Sequence, residues 1–203
     1  MFTIFIIIIV ALTSYLAFQN RLMFAKGAFI PYDIARFNQY YRFLSHIFLH
    51  VSWEHLIFNM LTLYFFGMLV ESGFAFYFGK LGTLLYLMEF LLAGVVATIP
   101  SFFKNKNNPS YSAVGVSGAV SAILFSSILL DPINKIYIMF IPIGIPAYVF
   151  GPAYLLYCVY MAKRNADNVA HDVHFWGALV GFLLPLLFMP ELLENFISLI
   201  WNQ

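Results

Sequence analysis

Charge is what this sequence lacks most. Ten Lys and Arg and nine Asp and Glu make up 9% of its 203 residues, against about a quarter in a soluble domain. Hydrophobic residues fill 63% of the chain. That balance excludes an ordinary soluble fold and points to the lipid bilayer as the surroundings. Cysteine is nearly absent: the single thiol, Cys158, excludes an internal disulfide. A net charge of +1 gives no basis for binding nucleic acid. There is no internal repeat and no low-complexity segment, so the length suits one helical bundle, a single membrane domain over residues 1–203. The first apolar run, MFTIFIIIIVALTSYLAF, has no Lys or Arg ahead of it and no small-residue cleavage site. It reads as a retained span and not as a signal peptide.

A span needs about 20 mostly apolar residues. The hydropathy pattern predicts six, over residues 2–18, 53–70, 81–103, 114–130, 147–161 and 169–189, and therefore an all-α membrane protein. Between the first two, Gln19 to Leu49 carries Arg21, Lys26, Pro31, Asp33, Arg36 and Arg42 among Phe, Tyr and Met. Such a mixture suits an element lying in the membrane interface. The polar run KNKNNPSYSA, residues 104–113, reads as a loop. Pro142, Pro146 and Pro152 break any long helix after Asp131, because Pro removes a backbone donor and clashes one turn back. A loop lying against the membrane is expected over Asp131–Pro146, and a short tail after Met189.

In so apolar a chain the polar residues are the informative ones. All five histidines fall in two clusters, His46, His50 and His55 in SHIFLHVSWEH, and His171 and His174 in HDVH. An ionisable group in a span is costly, so each is a candidate functional residue. Alternating direction makes spans two, four and six begin on the same side. His55, Ser117 and His174 lie in their opening turns, so three distant segments converge at one face and similar depth. Asn59 follows His55 on the same helix face, roughly 6 Å deeper.

That set suits acyl transfer. A serine hydroxyl is a weak nucleophile until a neighbouring histidine takes its proton, and the tetrahedral intermediate needs fixed donors for its oxyanion. At the start of a helix the backbone N–H groups around Val116–Gly118 lack an acceptor one turn back and favour an anion. Gly115 and Gly118 permit close approach of a substrate. His55 and the Asn59 amide are further donors.

At this point the chain resembles the rhomboid intramembrane serine proteases. Arg42 followed by His46, His50, His55 and Asn59 resembles the family's first-loop and second-span signature. Gly115-Val116-Ser117-Gly118 resembles its G-x-S-G motif, and His174 with Gly177 and Gly181 its H-x-x-G-x-x-x-G in the last span. The resemblance runs from about Arg42 to Phe182 and implies a six-helix rhomboid-like bundle. It implies a Ser117–His174 dyad without an acidic third member and without a cofactor. It implies an oxyanion hole from His55, Asn59 and the Ser117 backbone N–H. Single-span membrane proteins are the implied substrates, and a fifth span would help gate their access. The implied location is the plasma membrane, with the active site opening to the outer face. Tyr41 and Ser121 depart from the family, which often carries Trp and sometimes an aromatic there; Trp176 or Phe175 could hold His174 instead.

Other readings stand beside this one. Alone, Ser117 between Gly115 and Ala119 fits small-residue helix packing, and so do Gly177 and Gly181. A metal hydrolase using His46, His50, Glu54, His55 and the His171/His174 pair lacks the H-E-x-x-H spacing, since Val51 follows His50. A rhomboid-like protein that binds transmembrane helices without cutting them is the main alternative. His46, His50 and Arg42 are expected to anchor the first loop, and His171 to lie at the surface or beside the site. Asp172 points away from His174, Glu71 anchors a helix end or loop, and Glu89 sits mid-span in a neutral hydrogen bond. Eight basic residues, Arg21, Lys26, Arg36, Arg42, Lys104, Lys106, Lys163 and Arg164, gather on the active-site face. The positive-inside rule would make that face cytoplasmic, against the orientation the resemblance implies.

Overall fold

The computed structural model describes residues 1–138, 142–164, 167 and 169–202. Helix α1 (Phe2–Gln19) ends at Asn20, whose side chain accepts from the Met23 N–H at 3.0 Å and so opens α2 (Arg21–Gly27). Helix α3 (Pro31–Phe37) starts on a proline, which spends no helical hydrogen bond there. It stops at Asn38, held left-handed at φ 58°. Helix α4 (Arg42–Ser45) and a 3-10 turn (His46–Phe48) complete the first loop.

The Ser52 side chain accepts from the His55 N–H at 3.3 Å and starts α5 (Trp53–Phe78), with Glu54 in the first turn against the positive helix end. Helix α6 (Lys80–Val96) leads through a short break into α7 (Ile99–Asn105). Helix α8 (Ser117–Leu130) follows the polar loop. An antiparallel pair, β1 (Lys135–Tyr137) and β2 (Gly144–Pro146), precedes α9 (Ala147–Arg164), α10 (His171–Phe188) and α11 (Glu191–Trp201).

Helix α8 is the centre of the bundle. Every residue from Gly118 to Leu129 is buried, enclosed by α5, α6 and α10. Its closest neighbour is α10, and glycine makes that approach possible. A Cβ on Gly177 would run into the Gly118 carbonyl oxygen, and one on Gly181 into the Ala122 carbonyl oxygen. Polar groups tie the same helices. The Glu89 carboxyl pairs with the Ser126 hydroxyl between α6 and α8, and Ser126 Oγ also donates to Gly181 O on α10 at 2.6 Å. Glu71 on α5 accepts from the Phe2 and Thr3 N–H groups at 2.6 and 2.9 Å, capping α1.

Several expectations change. Four stretches among the described residues are long and apolar enough to cross a membrane: Phe2–Gln19, Trp53–Phe78, Lys80–Asn105 and His171–Phe188. The chain is thus a mainly helical membrane protein, but six spans are not found by length and hydropathy. Helix α8 has 14 residues, about 21 Å, against a hydrocarbon core of about 30 Å. A helix wrapped by other helices has no lipid-facing band to match. Helix α9 has 18 residues but is too polar for that count. Helix α5 runs on past Val70 to Phe78 because no proline intervenes and Glu71 is satisfied by α1. The loop expected at Asp131–Pro146 contains the β1–β2 pair, a small exception to an all-α fold. The expected short tail is α11, whose Phe196 packs on Phe182 at 5.5 Å while Glu191 and Glu194 occupy its first turn.

Gly181→Val should therefore lower stability by about 1–3 kcal/mol through overpacking. Phe76→Ala, at a side chain 83% exposed, should stay within about 0.5 kcal/mol of the parent. Thermal unfolding of the two variants in detergent checks this; equal midpoints would deny the close α8–α10 contact.

Candidate active site

The site is built from the loop upward. Arg42 is buried, and its Nη1 donates to the Ala25 and Ala28 carbonyls at 3.0 and 2.6 Å. Its Nε donates to Gln39 Oε1 at 2.6 Å, and Asp33 lies 3.4 Å from Nη2. Beside that anchor, Phe29 and Ala113 exchange backbone hydrogen bonds of 2.9 and 3.0 Å. The Gly115 N–H then donates to His46 O at 3.1 Å. The first loop thus holds the strand of chain that leads into Ser117.

Gly115 sits at φ +137°, a conformation that only glycine adopts without strain. A Cβ there would also lie 2.8 Å from His55 Cε1. The glycine lets the His55 ring close over the start of α8. In α8 the first backbone N–H to bond back is that of Val120, to Val116 O at 2.9 Å. The N–H groups of Ser117, Gly118 and Ala119 therefore have no helical acceptor, and the positive helix end surrounds them.

His174, in the first turn of α10, places Nε2 2.7 Å from Ser117 Oγ. This is hydrogen-bonding distance between a hydroxyl and a base. Asn59 lines the same cavity; its Nδ2 donates to His55 O at 3.0 Å, one turn back, leaving its second amide hydrogen uncommitted. The cavity holds about 950 Å³ and is walled by Phe58, Phe65, Val149, Tyr154 and Tyr157 from α5 and α9, with Ser117 and His174 at its polar end. The structure thus brings together Ser117, His174, His55, Asn59, Gly115 and Gly118. Gly177 lies behind the pair, under Gly118.

The remaining histidines settle differently. His50 Nδ1 is 2.8 Å from Ser14 Oγ, and that hydroxyl donates to Phe48 O at 3.0 Å. The hydroxyl hydrogen being spent, His50 is the donor in the first contact. Its ring meets the His55 ring edge-on at 5.0 Å, so it buttresses His55. His46 packs on Phe29 at 5.4 Å. His50 thus joins the end of the first loop to α1, and His46 lies within the loop against Phe29.

His171 is buried beside His174, ring centroids 5.8 Å apart, and is not a surface residue. Its Nε2 lies 3.1 Å from both Asp167 carboxylate oxygens. Neither Trp176 nor Phe175 supports His174: they pack on each other at 5.5 Å, and Trp176 is exposed. Ser121 instead meets the Tyr154 hydroxyl at 2.9 Å, so α9 supplies an aromatic where α8 has none. Sequence reasoning did not find Tyr154, Cys158 or Asp167. The one available signal was the four-residue spacing of Asp167 and His171. Among the described residues the metal-type cluster is Cys158, His171 and His174; of the set weighed from sequence it contains the His171/His174 pair but not His46, His50, Glu54 or His55. Asp172 makes no hydrogen bond to His174 among the described residues.

A family model described as the Rhomboid domain matches residues 37–191. Rhomboid-like protein 11, chloroplastic, of Arabidopsis thaliana is 30% identical over 189 residues, covering 89% of this chain and 63% of that protein. RHOMBOID-like protein 12, mitochondrial, of the same plant is 27% identical over 174 residues, covering 80% of this chain and 50% of its own. The chain spans half to just under two thirds of these relatives. Their printed locations lend no support to the plasma membrane.

Burial holds His46 down at about 4, and burial together with the neighbouring His55 holds His50 down at about 3. Both are neutral in the fold, whereas an unfolded histidine takes up its proton near pH 6.5. Their contribution is complete above about pH 6.5 and is lost as the pH falls below it, by about 1.4 kcal/mol per unit per histidine. The thermal midpoint in detergent should be lower at about pH 5 than at about pH 7.5, with Ser117→Ala showing the same drop.

Proposed function

The chain belongs to the rhomboid family, and on that premise we propose that it is an intramembrane serine endopeptidase working through a Ser117–His174 dyad. The observation that carries this reading is the 2.7 Å contact between His174 Nε2 and Ser117 Oγ at the polar end of an apolar cavity. His174 Nε2 takes the Ser117 proton as Oγ adds to the scissile carbonyl. The oxyanion is held by the free N–H groups that open α8, with His55 and the Asn59 amide as side-chain donors. His174 then gives its proton to the leaving amine, and the acyl-enzyme forms on Ser117. Water, deprotonated by the same imidazole, releases the acid product.

The substrate class fits the cavity. Its walls are nearly all apolar, with α5 and α9 on its sides and α8 and the β1–β2 segment also contributing, so an extended apolar segment can pass from lipid between α5 and α9 to Ser117. A peptide bond inside an intact transmembrane helix has its carbonyl bonded and shielded. The substrate must therefore unwind locally, which favours single-span proteins with small or helix-weakening residues at the cut. In this reading residues 1–203 form one rhomboid-like membrane domain in which α8 and α9 also traverse the bilayer, α8 inside the bundle. The Ser117 end opens away from the cytoplasm, as in the family, despite its eight basic residues.

The test is cleavage of a labelled single-span reporter by the purified protein in detergent, each variant with and without a metal chelator. Wild type should cut; Ser117→Ala and His174→Ala should fall to background, and Asn59→Ala by about 100-fold. Cutting that survives Ser117→Ala, or that the chelator stops, would defeat the dyad. Reporter bound but cut by no variant would favour a rhomboid-like protein that only binds transmembrane helices.

A further inference from the structure

Behind the Ser117–His174 pair lies a second set of ligating atoms that proteolysis does not use. Cys158 on α9, His171 and His174 each offer one sulfur or nitrogen, and the three atoms lie within 4.8 Å of one another. Cys158 is wholly buried and free. His171 is buried, and its Nδ1 has no hydrogen-bond partner among the described residues. An orphaned ring nitrogen inside a bundle is costly and calls for a partner.

The tautomers fit a cation. His171 Nε2 faces both Asp167 oxygens at 3.1 Å, so it carries the hydrogen and Nδ1 keeps its lone pair. A carboxylate that fixes a histidine in this way is the usual outer partner of a metal ligand. His174 uses Nε2 on Ser117, which leaves Nδ1 as its available atom. One thiolate and two imidazoles with an open fourth position suit Zn²⁺. Ligands about 2.0–2.3 Å from a tetrahedral ion stand on the order of 3.5 Å apart, so the cluster must close by about 1 Å. The cavity that reaches His174 and Tyr157 supplies a route and room for water at the open position.

We propose that Cys158, His171 and His174 form an inhibitory Zn²⁺ site that switches the Ser117–His174 pair off. This rests on His174 being the base. Zn²⁺ displaces the Cys158 thiol proton to solvent and binds the thiolate. It also takes the lone pair of His174 Nδ1, so the one proton of the neutral ring must sit on Nε2. Nε2 then donates to Ser117 Oγ and cannot accept its proton. The nucleophile stays in place but has no base.

Two measurements test this. The first uses Co²⁺ alone on the Ser117→Ala protein in detergent, where activity plays no part. A thiolate-to-cobalt charge-transfer absorption should appear, be absent from the Ser117→Ala/Cys158→Ser double variant, and be competed away by Zn²⁺. No thiolate band, or one that persists without Cys158, overturns the site. The second is reporter cleavage against free Zn²⁺. Wild type should lose at least tenfold in rate and recover with chelator. Cys158→Ser and Asp167→Asn should cut normally without Zn²⁺, and for Asp167→Asn half-inhibition should move up by roughly 10- to 100-fold. Inhibition unchanged in both variants, or activity that needs Zn²⁺, overturns the switch. A cobalt band in a protein that cuts nothing would uphold the site while defeating the protease reading.

Discussion

The contact between α8 and α10 is the constraint on which the rest depends. Lipid gives helices no hydrophobic reason to associate, so close packing and polar pairs must do it. Here Gly118 faces Gly177, and Ala122 faces Gly181, with no room for a side chain between the backbones. Ser126 Oγ bonds Gly181 O at 2.6 Å in the same seam. Because the helices touch backbone to backbone, side chains in their opening turns reach each other directly. The 2.7 Å separation of Ser117 and His174 follows from that approach. Any wider crossing would carry the imidazole out of reach of the hydroxyl.

The seam alone would not orient Ser117. The direction from which the chain reaches it is set by the first loop, through a relay of backbone bonds. Arg42 holds the Ala25 and Ala28 carbonyls, Phe29 pairs with Ala113, and His46 O receives the Gly115 N–H. The backbone groups of this relay find their partners inside the protein, as surroundings without water demand. The relay also explains the neutrality of His46 and His50. A charge on either would sit among apolar groups with no anion beside it, at the junction that fixes Gly115 and the His55 ring.

Much of the site was legible in the sequence because polar residues are rare there. Ser117, His55, Asn59 and His174 are among the few polar residues of an apolar background; Ser117 alone also fits helix packing, and it is counting spans that puts the four on one face. Of the six spans counted, length and hydropathy find four among the described residues. Length and hydropathy describe a helix that meets lipid on most of its surface, and α8 meets almost none. Helix α11 was hidden because Glu191 and Glu194 resemble a solvated tail unless its apolar face has something to cover. Asp167 was left in a loop and His171 placed at the surface or beside the site, although their spacing allows a pair. Nothing in the local sequence of Cys158 reveals that α9 turns it toward His171; that contact is tertiary.

The two proposed uses of one imidazole meet at His174. Proteolysis needs a lone pair on Nε2, and therefore the ring hydrogen on Nδ1. Cys158 and His171 share a buried corner with that ring, their ligating atoms within 4.8 Å of one of its nitrogens. His171 presents a bare Nδ1 there because Asp167 fixes its other nitrogen. Without a metal, His174 is free to carry its proton on Nδ1, as a base acting through Nε2 requires. With Zn²⁺ bound there, that proton must sit on Nε2. The occupant of the corner thus decides whether the imidazole can act as the base.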